Sequence, residues 1–75
     1  MAGATGTEIV AEMVANVWKV VATPGQNLEA GDTLVILESM KMEIPVLTES
    51  AGRLLELRVH EGDVVQEGDI LAIVG

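Results

Sequence analysis

The sequence predicts an all-β domain made of two similar halves that pack as a sandwich over one core. Three observations carry that expectation. The apolar stretches are short, rich in Val and Ile, and punctuated by Gly and Asp, as strands and tight turns are. No segment holds an apolar stripe at i, i+3, i+4 and i+7 beyond a turn or two, so no amphipathic helix is expected. The chain also repeats itself at an offset of 37 residues.

Taken in order, Met1 to Thr7 is small and Gly-rich, and residues 1–8 are assigned to a flexible tail. From Ile9 to Gly75 there is no comparable break, which predicts a single domain over 9–75. Strands are expected near Ile9–Met13 and Val17–Ala22, the second holding Lys19 toward solvent. The next, near Thr33–Glu38, follows the Gly31-Asp32 turn, and another runs near Met42–Leu47. Leu54–Val59 follows Gly52, and Ile70–Val74 follows the Gly68-Asp69 turn.

The repeat is concentrated in the turns and the strands after them. At the offset of 37, Gly25 falls on Gly62, Gly31 on Gly68, Asp32 on Asp69, Leu34 on Leu71 and Ile36 on Ile73. Upstream, Val17 meets Leu54, Val20 meets Leu57 and Glu12 meets Glu49. Each Gly is expected to supply a positive φ at a tight turn, with Asp32 and Asp69 accepting hydrogen bonds from nearby amides. Neither half can cover its own apolar face, so the halves are expected to pack face to face. A valine at Gly31 or Gly68 is accordingly expected to unfold the domain.

Composition narrows the function. Seventy-five residues make one small domain, and with no Cys there is neither a disulfide nor a Cys-based zinc site. One His leaves carboxylates as the remaining metal ligands, a poor set for a transition metal. Hydrophobic residues form 49% of the chain, with Trp18 the lone aromatic, so an aliphatic core is expected. The formal charge of -8 disfavours nucleic acid and anionic membrane surfaces. The longest apolar run, Ile70 to Val74, is too short to span a bilayer, and Met1 to Glu8 lacks the pattern of a secretory signal. A cytoplasmic, monomeric domain is the expectation. The span from Met1 to the last strand suits a complete small protein, and an excised domain would look the same.

Between the two halves lies Ser39-Met40-Lys41-Met42-Glu43-Ile44-Pro45, a connection short enough to require a sharp turn with Met40 and Lys41 near its tip. A solvated turn more often contains Asn, Gly, Asp or Ser than an M-K-M triplet. Two readings stay open on the triplet alone: the methionines fold back on the core around a solvated lysine, or they flank an amine presented to another protein. An exposed lysine is a poor nucleophile unless burial or a cationic neighbour activates it, and here the neighbours are Glu38 and Glu43. Lys41 therefore suits being acted upon.

Glu38-Ser39-Met40-Lys41-Met42-Glu43 resembles the attachment sequence of biotinyl domains, the biotin carboxyl carrier family. The resemblance runs from about Ile9 to the C-terminus and includes the G-D turn of each half, the lysine midway and Gly52 opening the second half. It implies a flattened barrel-sandwich hybrid of two four-stranded antiparallel sheets, with extra short strands near Leu28 and Val64–Val65. It implies biotin in amide linkage on Lys41, with Met40, Met42 and Glu38 recognised by biotin protein ligase. Ser39 departs from the alanine common in the family, a small residue for a small one. The biotin arm would pass a carboxyl group from a biotin carboxylase to a carboxyltransferase. Val21 to Gly31 leaves no room for the protruding thumb of some acetyl-CoA carboxylase carriers, so the chain looks more like the thumbless domains of acyl-CoA and pyruvate carboxylases. It is similar, too, to small stand-alone biotin/lipoyl attachment proteins.

A lipoyl domain shares this fold and lysine position but typically shows D-K-A, so lipoate fits less well. An unmodified interaction module, as in efflux-pump adaptors, has no need of a lysine at the tip. Enzymatic catalysis is the weakest reading: no Ser, Cys or acid pair stands at a suggestive spacing. His60, aligned with Thr23, reads as a surface turn residue. Glu29, Glu61, Asp63 and Glu67 read as a solvated acidic rim rather than a metal site.

Overall fold

The computed structural model describes residues 6–75. Eight strands follow one another: β1 Thr7–Val10, β2 Ala15–Val20, β3 Asn27–Leu28, β4 Thr33–Ser39, β5 Met42–Leu47, β6 Gly52–Leu57, β7 Val64–Val65 and β8 Ile70–Val74. They form two four-stranded antiparallel sheets, ordered β1-β8-β6-β3 and β5-β4-β2-β7. The two short strands at Leu28 and Val64–Val65 are those implied by the resemblance.

The first strand starts earlier than expected. Thr7 and Glu8, assigned to the tail, pair with Val74 and Ile73, because the edge of β8 offers their backbone groups partners. Residues 1–5 of that assignment lie outside the described residues. β1 also stops at Val10 rather than Met13. Ala11 leaves the ladder to bond with the second turn, its N–H donating to the Asp69 carbonyl and its carbonyl accepting from the Gly68 N–H, at 2.9 and 2.8 Å.

The 37-residue offset maps the strands onto one another. Added to β2, β3 and the start of β4, it lands on β6, β7 and the start of β8; subtracted from β5, it lands on β1. The same operation exchanges the two sheets. The halves do not, however, pack face to face as separate sheets. β3 crosses over to pair with β6, through Asn27↔Arg53 and Leu28↔Gly52, and β7 crosses to pair with β2, through Ala15↔Val65 and Asn16↔Val64. Without these crossovers β2 and β6 would each present an unpaired edge.

The turns repeat in the same detail. Gly31 and Gly68 have φ of 95° and 91°. Asp32 Oδ2 accepts from the Glu29 N–H at 2.9 Å, and Asp69 Oδ2 from the Gln66 N–H at 2.8 Å. The positive φ is as expected, but a Cβ built on either glycine meets nothing within 4 Å. The penalty for a side chain at either position therefore comes from backbone strain.

The core is aliphatic. Leu34, Leu54, Leu71, Val17 and Val35 are fully buried, and Leu34 and Leu71 are repeat mates. Thr48 is the buried polar residue, its Oγ1 donating to the Ser50 carbonyl at 2.8 Å. Bulges interrupt the ladders between Val17 and Lys19 in β2 and between Leu54 and Glu56 in β6. The residues within them, Trp18 and Leu55, are themselves 37 apart and both exposed.

Candidate functional site

β4 and β5 pair as far as Ser39↔Met42, which leaves two residues, Met40 and Lys41, to close the hairpin. Their φ angles are 51° and 65°. Two consecutive left-handed residues make a type I′ turn, whose twist matches that of the strands it joins. The usual occupants are Asn-Gly; a side chain with a Cβ in this conformation costs about 1–2 kcal/mol per residue. The turn therefore carries a conformational cost at the two positions that display the M-K pair.

Among the described residues nothing covers the tip. Met40 is 91% exposed and Met42 63%, so of the two readings left open by the triplet, the methionines do not fold back on the core. Lys41 is exposed as well. Among the described residues the ion pairs are Arg58–Glu56 and His60–Asp63, and Lys41 takes part in neither. Directly below the turn Glu38 and Glu43 are paired partners, two carboxylates on opposite strands flanking the lysine. An amine with thioethers on both sides and acids beneath is open to acylation by a visiting enzyme.

Beside the tip a shallow groove is lined by Val14, Asn16, Ser39, Met40 and Val64. Val14 and Val64 are 60% and 63% exposed, and sequence reasoning passed over both. The signal for Val64 was available, since it lies in one of the short extra strands. Val14 lies just before β2, where no periodicity marks it.

The remaining candidates stand in other turns. His60 sits where expected, its N–H donating to Asp63 Oδ2 at 2.9 Å, as the Thr23 N–H donates to Gln26 Oε1 at 3.0 Å in the other half. Glu29, Glu61 and Glu67 are exposed, with Glu61 Oε2 accepting from the Val20 N–H at 3.1 Å, while Asp63 is half-buried. Among the described residues no group of three or more His, Asp or Glu could hold a metal ion, and no helix is long and apolar enough to cross a membrane.

Comparison with known proteins agrees with this geometry. The family described as Biotin-requiring enzyme, the biotin/lipoyl family, matches residues 3–74. The chain belongs to the biotin/lipoyl attachment family. It is 52% identical over 67 residues to the biotinylated protein TB7.3 homolog of Mycolicibacterium smegmatis, covering 89% of this chain and 94% of that one. It is 47% identical over 60 residues to the biotin/lipoyl attachment protein of Bacillus subtilis, covering 80% and 82%. In solved structures it matches the urea carboxylase of Kluyveromyces lactis with a TM-score of 0.90 and 31% identity, over all of this chain and 7% of the enzyme. The attachment domain thus shares its all-β fold with a carboxylase and much of its length with small biotinylated proteins. It is a non-catalytic carrier domain of the biotin/lipoyl type.

Proposed function

We propose that Lys41 is the attachment residue and that it carries biotin in amide linkage to Nζ. The observation that carries this reading is the exposed lysine at the centre of a type I′ turn, between two exposed methionines. Biotin protein ligase would recognise Met40, Met42 and Glu38 and acylate the amine, which removes one positive charge from an already acidic domain. Once attached, biotin supplies a carboxyl-carrying group that moves between a biotin carboxylase and a carboxyltransferase of an acyl-CoA or pyruvate-type system in the cytoplasm. The chain's own part is to hold the arm's root clear of the fold, and tethering raises the local concentration of the cofactor at both enzymes.

Replacing Lys41 tests this. Lys41→Ala removes an exposed side chain and leaves the fold intact. It is expected to abolish capture of the ligase-treated protein by streptavidin, and a Lys41→Ala protein still captured would break the assignment. Lipoate at the same residue is the second reading, supported by the name of the Bacillus relative, which admits both cofactors.

A further inference from the structure

Trp18 is the lone aromatic residue of the chain, and it stands 42% exposed at the bulge of β2. Its repeat mate Leu55 occupies the same bulge in β6, but the two are treated differently. Leu55 lies against the backbone of Gly6 and Gly75; a Cβ on those glycines would come within 3.2 and 2.6 Å of Leu55 Cδ1. The positions corresponding to Gly6 and Gly75 on the Trp18 side are Glu43 and Glu38, the acids beneath the Lys41 turn. Both bulge residues are exposed, Leu55 by 48% and Trp18 by 42%, but Leu55 touches the chain's own glycines, whereas the aromatic one stands on the sheet that carries the lysine.

The neighbours of Trp18 extend this into a face. Lys19 pairs with Ile36, and Ile36 with Pro45, so one row of β2, β4 and β5 is largely apolar. The Lys19 ammonium lies 5.6 Å from the Trp18 ring centroid, a cation–π contact. Toward the tip the next row on this face is Asn16, Glu38 and Glu43. Beyond the bulge Glu61 is held by its bond to the Val20 N–H.

We propose that Trp18, with Ile36 and Pro45, is the docking surface for the enzyme that attaches the cofactor to Lys41. Its complement is an apolar pocket rimmed by cationic side chains. This rests on Lys41 being the attachment residue. Charge selects the rim, since Glu38, Glu43 and Glu61 frame the surface and the chain carries a formal charge of -8. Distance selects the enzyme. Pro45 lies three residues along β5 from Met42, about 10 Å at the strand rise. An enzyme that acylates Nζ itself must grip the domain within that radius of the turn. One that works at the far end of an attached cofactor meets the domain across the length of the arm. Tryptophan in such a central, partly desolvated place is the residue type that most often dominates an interface.

Initial rates of biotinylation by a purified biotin protein ligase, measured against the concentration of unmodified protein, test the proposal. Trp18→Leu copies the residue that the other bulge already carries, and circular dichroism checks its fold. It is expected to raise KM about tenfold with kcat unchanged, and Leu55→Ala to leave KM within about twofold of wild type. A Trp18→Leu KM equal to that of wild type overturns the proposal, and so does an equal rise in Leu55→Ala. A wild-type protein that takes up no biotin on Lys41, seen as no gain in mass, overturns the reading of the lysine and this inference with it.

Discussion

Glu38 and Glu43 face each other across the β4–β5 ladder, one pair below the Ser39↔Met42 rung that closes the Lys41 turn. Like charges directly opposite on neighbouring strands are destabilising, by roughly 0.2–1 kcal/mol. That cost fits the proposal that the enzyme modifying Lys41 reads acids beside it.

Glu43→Gln should therefore raise the melting temperature by up to a few degrees, since about 1 kcal/mol corresponds to roughly 4–8 °C in a domain of this size. The same change should slow biotinylation. Thermal denaturation and ligase rates on one preparation check both; a slower rate with a lower melting temperature would trace the loss to folding.

The turn itself makes a parallel trade. Met40 sits at φ 51°, where asparagine is at ease and methionine is not. Met40→Asn should stabilise the domain by about 1 kcal/mol while making it a poorer ligase substrate. Urea denaturation together with initial rates would show the two effects moving in opposite directions.

Gly31 and Gly68 occupy the same turn in the two halves, with φ of 95° and 91° and open space at both Cβ positions. Valine at either should cost about 1–3 kcal/mol, by backbone strain alone, and the two losses should agree to within experimental error. Unequal losses by chemical denaturation would mean that the halves differ in energy where they agree in shape.

Thr48 marks a place where the halves do differ. Its repeat mate is Ala11, also buried, and the threonine hydroxyl donates to the Ser50 carbonyl. Thr48→Ala should cost about 1 kcal/mol, the worth of that bond, with little effect on biotinylation. Chemical denaturation of the variant, set beside its ligase rate, checks both parts.

How much of this was legible in the sequence follows from which features are local. Glycines at positive φ followed by Asp and a β-branched strand are local signals, so the turns at Gly31 and Gly68, the strands after them and the pivot at Lys41 could all be read. The crossovers could not be read from periodicity. Asn27–Leu28 and Val64–Val65 are two residues each, too short to show an alternation, and their pairing with the opposite half is a long-range choice. Trp18 was missed for a related reason. Within β2 it only breaks the alternation between Val17 and Lys19; the break becomes a bulge once the register with β4 is known. Its pairing with Leu55 at the 37-residue offset was the available clue.

The central claim is that Lys41 is the residue modified, and the most direct measurement is an intact mass followed by peptide mapping on protein co-expressed with a biotin protein ligase. A single biotinyl adduct on the peptide containing Lys41 is the predicted result. A lipoyl adduct there would keep the site and replace the cofactor. An unmodified Lys41 in the presence of an active ligase would contradict the account.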